Sequence, residues 1–208
     1  MSSAPSIKWN GPKAAPLTVA LAHGAGAPMD SPFMNFFAEG LAMRVYRVAR
    51  FEFPYMAARR ETGKKKPPDR APVLLETWRT VIDKIGADKL VIGGKSMGGR
   101  IASMIADEAS VRGLLCLSYP FYGAGRAAKP RIEHLKPLKT KTLICQGKRD
   151  PMGNYETISK LKLSPAIKIH WAEDGDHDLK PRKISGLTHD GNLTAALDAA
   201  DAFLSALR

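Results

Sequence analysis

Residues 89–99, Lys-Leu-Val-Ile-Gly-Gly-Lys-Ser-Met-Gly-Gly, form the stretch of sequence that decides the fold. The apolar run at 89–93 predicts a strand, and the residues after Met97 predict a helix. Between them, Gly94-Lys95-Ser96-Met97-Gly98 fits the pattern G-x-S-x-G, whose glycines let strand and helix pass closely around a sharp turn. Such a turn presents the Ser96 hydroxyl above the carboxyl edge of a sheet. The stretch therefore predicts a nucleophilic serine, and the alternative is a purely structural glycine turn.

Apolar and β-branched runs alternate with helical periodicity along the whole chain, which is typical of an α/β fold. Most of these runs are continuous rather than alternating, as expected of strands in a parallel sheet that helices cover on both faces. The predicted strands are residues 17–22, 44–51, 89–93, 114–118, 142–145 and 167–171. We expect a mostly parallel sheet of about six to eight strands in a single domain over residues 1–208, with no lid domain.

Start and stop signals predict where the helices lie. Ser31-Pro32 supplies an N-cap and a proline at the first helical position, a second helix follows Pro72 and ends at Gly86, and others follow Met97 and begin near Asp190. The residues expected on the buried stripes are Phe33, Phe36, Phe37, Leu41, Leu74, Leu75, Trp78, Ile82, Ile85, Leu193, Leu197, Ala200, Leu204 and Leu207. Residues 123–141 are the least patterned stretch, and we expect a surface connection with one short helix there.

The charge balance of the chain is strongly basic, with 32 Lys and Arg against 20 Asp and Glu in 208 residues and a net charge of +12. The basic residues gather at 59–70, 126–141 and 179–183, and the Gly and Pro content of 59–70 predicts a loop. No zinc-finger spacing, RRM signature or basic heptad pattern accompanies them. Solvated surface charge is therefore the favoured interpretation. An anionic substrate or partner comes next, and nucleic acid is the least favoured partner.

The two cysteines, Cys116 and Cys145, lie in apolar runs and are expected to be buried free thiols, which fits a reducing compartment. The amino-terminal residues lack a basic segment followed by a continuous apolar one, so no signal peptide is indicated. No apolar run reaches the roughly 18 residues of a membrane-spanning helix. We expect a cytoplasmic protein with no membrane partner, in which the glycosylation sequon at Asn192-Leu193-Thr194 has no role.

A serine hydroxyl is a poor nucleophile at neutral pH and needs a base, which in turn needs an orienting carboxylate. On folds with this serine turn, the acid and then the histidine follow the serine along the chain. Asp150 follows the strand predicted at 142–145, and His177 follows the one at 167–171, so both lie at carboxyl ends of strands. We predict Ser96, Asp150 and His177 as catalytic residues. The competing candidates are Asp174, Asp176 and Asp178 for the acid, with His134, His170 and His189 for the base.

The small-residue loop His23-Gly24-Ala25-Gly26-Ala27 follows the first strong strand and fits a loop that offers a backbone N–H to a developing oxyanion. We predict Ala25 and Met97 as the oxyanion donors, with the N–H groups of Gly24 and Gly26 as alternatives for the first, and a bracing role for His23. Gly24, Gly26, Phe53, Tyr55, Tyr119 and Phe121 are the candidate substrate-binding residues. For the four aromatic residues, ordinary loop packing is the alternative.

The glycine-rich loops do not indicate a phosphate or dinucleotide site. Gly94-Lys95-Ser96 contains the Gly-Lys-Ser of a Walker A motif, but Lys89 stands where that motif requires its first glycine. Residues 23–27 do not fit G-x-G-x-x-G, and no His, Cys, Asp or Glu cluster has structural zinc spacing. We expect no metal and no cofactor.

Together these motifs resemble the α/β-hydrolase superfamily, in particular its small lidless dienelactone-hydrolase-like members of the KANL/Tex type. The residues that carry the resemblance are 23–34 (HGAGAPMDSPFM), 50–56 (RFEFPYM), 65–79 (KKPPDRAPVLLETWR), 93–103 (GGKSMGGRIAS), 145–153 (CQGKRDPMG) and 174–181 (DGDHDLKP). The resemblance implies a nucleophile at Ser96, an acid at Asp150, a base at His177 and no cofactor. Dienelactone hydrolase proper carries Cys at the elbow, so Ser96 favours ordinary ester chemistry.

The sequence predicts a serine hydrolase that acts on a small carboxylic ester, thioester or lactone through an acyl-enzyme, with short peptides also open as substrates. The small-molecule acyl substrate is the expected partner, and the oligomeric state is left open. The competing hypothesis is a catalytically silent hydrolase-fold scaffold or binding module that uses the basic residues at 59–70. Some relatives of the KANL/Tex type resemble scaffold subunits of larger complexes.

Overall fold

A computed structural model describes residues 5–123 and 130–208 and contains a seven-stranded sheet in the order β1-β3-β2-β4-β5-β6-β7. The strands are β1 (Ile7–Asn10), β2 (Thr18–Ala22), β3 (Arg47–Phe51), β4 (Leu90–Lys95), β5 (Gly113–Leu117), β6 (Thr142–Gly147) and β7 (Ile167–Ala172). Only β1, at one edge, is antiparallel to its neighbour. The prediction of a mostly parallel sheet of this size is confirmed.

Helices cover both faces of the sheet. They are α1 (Pro32–Met43), α2 (Pro54–Thr62), α3 (Ala71–Ile85), α4 (Met97–Ser103), α5 (Tyr155–Ile158) and α6 (His189–Ser205). One hydrophobic core lies between the sheet and α2 to α5, and the other between the sheet and α1 with α6. No inserted lid lies among residues 5–123 and 130–208. Among the helices of that part of the chain, none is long and apolar enough to cross a membrane.

The predicted helix starts and buried stripes are largely correct. The Ser31 hydroxyl caps α1, and α3 ends at Gly86. The five residues predicted to face inward from α6 and its end are buried, as are Phe37, Leu41, Leu74, Trp78 and Ile82. Leu75 and Ile85 are only half-buried, and so are Phe33 and Phe36, which line an open pocket. Cys116 and Cys145 are buried free thiols, as predicted.

Three of the described strands and α-helices lie outside the sequence predictions: β1, α2 and the four-residue α5. The edge strand β1 is short and half-exposed, so it lacks the apolar run by which buried strands are recognised. Helix α2 buries only Tyr55 and Met56 and then continues through 59–62, which the Gly and Pro content had assigned to a loop. It nevertheless has proline in its first turn and a left-handed Gly63 at its end, the expected boundary signals. The loop prediction for 59–70 is therefore correct only after residue 62.

The stretch predicted as a surface connection, 123–141, is described only in part, since residues 124–129 lie outside the described ranges. Its described portion contains one short 3-10 helix, Glu133–Leu135. Asn192 of the sequon is buried in α6, and its amide donates to the carbonyl oxygens of Glu173 at 2.9 Å and Leu179 at 2.8 Å. That asparagine therefore has a structural role in holding the loop before α6.

The parallel arrangement brings the functional segments together. The carboxyl ends of β2, β4, β6 and β7 lie along one edge of the sheet, because these strands run in the same direction. The segments that leave this edge contain residues 23–27, Ser96, Asp150 and His177. The sheet topology therefore gathers residues that are far apart in the sequence into one place.

Candidate active site

Ser96 occupies a strained turn between β4 and α4. It has φ of 50° and ψ of −116°, in the region where non-glycine residues are uncommon. The neighbouring glycines are required by close backbone approach, because a Cβ added at Gly94 would lie 2.0 Å from the Ala22 carbonyl oxygen and one at Gly98 would lie 2.4 Å from it. The close crossing of β2 under the turn holds Ser96 in this conformation at the pocket surface.

The predicted acid, base and nucleophile form one hydrogen-bonded chain. His177 Nε2 lies 2.9 Å from Ser96 Oγ, and His177 Nδ1 lies 2.7 Å from Asp150 Oδ2. The Asp150 carboxylate accepts the Nδ1–H of the imidazole, which leaves Nε2 free to accept the serine proton. The side chain of His177 is 26% exposed whereas that of Asp150 is 0% exposed, so the series of hydrogen bonds runs from the interior to the pocket.

Asp150 is held by neutral donors on both oxygens. Its Oδ1 accepts from the backbone N–H of Met152 at 2.7 Å, and its Oδ2 accepts from Gln146 Nε2 at 2.8 Å as well as from His177. Gln146 is fully buried on β6, and the sequence analysis did not single it out. The signal available for it was its position, four residues before the acid in the same strand-to-loop segment. These donors fix the orientation of the carboxylate toward His177.

The competing histidines have other surroundings. The Nε2 atom of His134 lies 2.9 Å from Ser103 Oγ and 3.2 Å from the Tyr119 hydroxyl, so this residue is half-buried rather than a surface residue. His170 is on β7, and burial lowers its pKa. His189 lies at the pocket and donates from Nε2 to the carbonyl oxygen of Asp178 at 2.8 Å. None of the three contacts Ser96 among the described residues.

The competing aspartates are engaged elsewhere. Asp174 pairs with two arginines, Asp178 pairs with Lys95, and the Asp176 carboxylate accepts from the backbone N–H groups of residues 178 and 180. Within residues 5–123 and 130–208, Asp150 is the carboxylate that contacts the His177 ring.

The loop 23–27 lies against the serine turn. A Cβ added at Gly24 would lie 3.7 Å from Ser96 Cβ. His23 is fully buried beneath the loop, with Nδ1 donating to the Gly24 carbonyl at 2.7 Å and Nε2 accepting from the Phe53 N–H at 3.1 Å. The bond from Phe53 requires an unprotonated Nε2 and therefore the neutral imidazole with its proton on Nδ1, and burial lowers the pKa of His23. The Tyr55 hydroxyl donates to the Ala25 carbonyl at 2.9 Å and holds the loop from the other side.

Of the predicted oxyanion donors, Ala25 lines the pocket together with Gly24 and Gly26, whereas Met97 follows Ser96 at the start of α4 and is not part of the lining. In the described part of the chain, no backbone carbonyl accepts from the N–H groups of Ala25 and Met97, and the same holds for Gly24 and Gly26. These groups are therefore available to an oxyanion, and which member of the loop donates to it is not decided by this bonding pattern.

The pocket at this site has a volume of about 810 Å³. It is lined by residues 24–27, by Ser31, Pro32, Phe33, Met34 and Phe36 of the α1 region, by Lys95, Ser96, Met152 and His177, and by Asp178, Lys180, His189, Asp190 and Leu193. Gly24 and Gly26 belong to this lining, and their role in substrate binding stays a prediction. The α1 face and α6 were missed because a helix face gives no local signal of the cavity it borders, and Met152 was missed because it lies in a turn with no motif of its own.

The prediction that the aromatic residues at 53–55 and 119–121 form pocket walls is wrong. Phe53, Tyr119 and Phe121 are fully buried, Tyr55 is only 4% exposed, and none of them lines the pocket. Tyr119 and Phe121 pack edge to face, with ring centroids 4.7 Å apart, in the core under α4 and α5. Their side chains turn inward because that core needs large apolar groups.

In the described ranges, no group of three or more His, Cys, Asp or Glu side chains is placed to hold a metal ion.

The free N–H groups, the neutral donors around Asp150 and the open pocket are all arranged about Ser96. Such an arrangement can activate a serine hydroxyl against a carbonyl carbon.

Comparisons with known proteins agree with this geometry at the level of the fold. Residues 15–205 match a family model described as an alpha/beta hydrolase domain. An alpha-beta serine hydrolase homologue from Coxiella burnetii has a similar structure, with a TM-score of 0.70 and 18% identity over 97% of this chain and 91% of that one. Est1E from Butyrivibrio proteoclasticus with ferulic acid bound has a TM-score of 0.70 and 15% identity over 97% and 94% of the two chains.

A serine hydrolase without a lid from Xanthomonas campestris also matches, with a TM-score of 0.63 and 15% identity over 97% of this chain and 86% of that one. At these identities the likeness is one of fold. The matches do not distinguish subtypes within the family, so the KANL/Tex resemblance stays a prediction.

Proposed function

This chain belongs to the alpha/beta hydrolase domain family, and we propose that it is a serine hydrolase that cleaves a small carboxylic ester, thioester or lactone. The observation that carries the proposal is the hydrogen-bonded chain from Asp150 through His177 to Ser96, which opens into a pocket. The strained backbone of Ser96 is a second support, because such strain persists at sites that need a side chain in one fixed position.

In the proposed reaction, Ser96 Oγ attacks the carbonyl carbon while His177 Nε2 takes the hydroxyl proton. The carbonyl oxygen becomes an oxyanion that accepts from the N–H of Met97 and from the N–H of Ala25 or a neighbouring residue of the loop. His177 then gives its proton to the leaving oxygen or sulfur, and the bond to the leaving group breaks. Water repeats these steps on the acyl-enzyme and restores Ser96.

The pocket favours an apolar group on the substrate. Phe33, Phe36, Met34 and Leu193 contribute apolar surface to its lining. The charged residues of the lining carry both signs, with Lys95 paired to Asp178 and with Lys180 and Asp190 also present. A neutral ester or thioester with an aryl or short alkyl group therefore suits the pocket better than a highly charged molecule.

The proposal is tested with a fluorophosphonate probe and intact-mass measurement. An activated serine displaces fluoride and gains one phosphonyl group, so the wild type should gain the mass of one adduct and Ser96→Ala none. Ser110→Ala is a matched control, because Ser110 also has a positive φ, of 51°, and is exposed. It should label like the wild type.

Peptide mapping should place the adduct on Ser96, and the wild type should hydrolyse p-nitrophenyl acetate or butyrate. A folded wild type that gains no adduct would reject the proposal and leave the scaffold or binding module as the better hypothesis.

A further inference from the structure

Lys95, the last residue of β4 and the neighbour of Ser96, has an unusual environment. Its side chain is 10% exposed, and its ammonium group donates to the backbone carbonyl of His177. The same Nζ lies 3.0 Å from Asp178 Oδ1 and 4.3 Å from the centroid of the Phe33 ring. One lysine therefore contacts the main chain of the proposed base, the next residue along the chain, and the α1 wall of the pocket.

A buried ammonium is costly unless it is paired, and here the pairing is directed at the histidine loop. Burial lowers the pKa of Lys95, and the neighbouring Asp178 carboxylate opposes that effect. Because Asp178 compensates the charge, Lys95 offers no unpaired cation to a substrate. Its noncovalent contacts join the serine turn to the loop that carries His177 and to α1.

The loop that carries His177 has an irregular backbone. It leaves β7 after Ala172 and includes two residues with positive φ, Asp174 at 49° and Leu179 at 63°. In the described part of the chain, no backbone N–H donates to the carbonyl of His177. The ring is held by Asp150, whereas the main chain at the same residue is held by Lys95.

We propose that Lys95 is a positioning residue that ties the main chain of His177 to the serine turn and so keeps His177 Nε2 within reach of Ser96 Oγ. Since Lys95 and Ser96 are consecutive residues, any movement of the turn carries the tether with it. This inference rests on the proposed serine hydrolase function. It adds a role for the x residue before the serine, which the G-x-S-x-G pattern leaves open.

The kinetic test compares wild type with Lys95→Met, Lys95→Arg and Lys136→Met on p-nitrophenyl acetate. Lys136 is the matched control, because it forms an exposed ion pair of the same 3.0 Å length with Glu133 away from the site. A misplaced base costs on the order of 10²-fold, so Lys95→Met should lose roughly that factor in kcat with little change in KM. Lys95→Arg keeps the charge and donors and should recover part of the loss, and Lys136→Met should match the wild type.

A substrate-binding role for Lys95 would instead raise KM and leave kcat nearly unchanged, and that result would overturn the inference. Lys95→Met with wild-type kcat would overturn it as well. In both cases, turnover of the ester by the wild-type protein would still support the proposed hydrolase function. A failure of the inference about Lys95 is therefore distinguishable from a failure of the proposed function.

Hydrogen–deuterium exchange supplies a readout that does not depend on turnover. Peptides that cover residues 173–180 should exchange faster in Lys95→Met than in wild type, whereas peptides from α3 should not change. If Lys95→Met does not fold, Lys95→Gln carries the test, because glutamine is polar but too short to span the same contact. If residues 173–180 of a folded Lys95→Met or Lys95→Gln variant exchanged at the same rate as in the wild type, the positioning role of Lys95 would be overturned. This result would hold even if the protein had no hydrolase activity.

Discussion

Gly98→Ala tests the close packing of the serine turn. Two physical effects predict changes of opposite sign in its free energy of unfolding. Gly98 lies in α4, where alanine is the better helix former by at most about 1 kcal/mol. An added Cβ would, however, lie 2.4 Å from the Ala22 carbonyl oxygen and 2.7 Å from that of His23. The first distance is about 1 Å inside ordinary van der Waals contact, and both neighbours are backbone atoms, which cannot turn away as a flexible side chain could.

Overpacking of this kind costs about 1–3 kcal/mol, and the backbone clash at Gly98 places it near the upper end. After the helix-propensity gain is subtracted, we expect a net loss of about 2 kcal/mol in the free energy of unfolding. For a chain of this length that corresponds to a fall of roughly 4–8 °C in Tm. Because the displaced carbonyls lead into the loop 23–27, a shift of about 1 Å should also slow fluorophosphonate labelling by on the order of 10²-fold.

The measurements are urea unfolding, thermal melting and the rate of probe labelling. Gly26→Ala is the control for stability only, since no heavy atom lies within 4 Å of a Cβ added there. It should unfold within about 0.5 kcal/mol of the wild type. If Gly98→Ala proved as stable as the wild type, or more stable, helix propensity would outweigh the contact, and the backbone packing around Gly98 would not be what constrains the serine turn.

Three further predictions concern the acid, a buried histidine and the thiols. Asp150→Asn should fold but lose about 10⁴-fold in kcat, because the amide no longer selects the required imidazole tautomer, and retained turnover would exclude Asp150 as the orienting acid. Since burial lowers the pKa of His23 below 6.5, its contribution to stability is complete above pH 6.5 and declines as the unfolded chain takes up a proton at lower pH. The urea midpoint should therefore fall less between pH 7.5 and pH 5 in His23→Gln than in wild type, and equal slopes would contradict the neutral imidazole. Burial raises the pKa of Cys145 to about 12 and that of Cys116 also, so both thiols should resist iodoacetamide until urea unfolds the protein, as intact mass would show.

The positions of the main strands and of Ser96 were predictable because they depend on local pattern. Continuous apolar runs mark buried parallel strands, and the glycines around Ser96 reflect close contacts of the turn with the end of β2. Asp150 and His177 were found because each follows a strand, and parallel strands bring their carboxyl ends to one edge. That step used topology inferred from the sequence, and in the structure His177 Nδ1 lies 2.7 Å from Asp150 Oδ2.

The elements that the sequence did not reveal have weak patterns of their own. Strand β1 forms only through its pairing with β3, and α2 buries two residues against a core made by other segments. Their stability comes from tertiary packing, which overrides local propensity in such short segments.

The sequence by itself therefore determined the sheet, the serine turn and the order of the candidate catalytic residues, because these follow from periodicity and from fixed spacings along the chain. Only the tertiary structure decided which side chains line the pocket, since Tyr119 and Phe121 could face either the cavity or the core until α4 and α5 packed over them. It also decided the contacts of Gln146 with Asp150 and of Lys95 with His177. The Lys95 contact joins segments 82 residues apart, and no local pattern encodes a contact whose existence depends on how two distant segments pack.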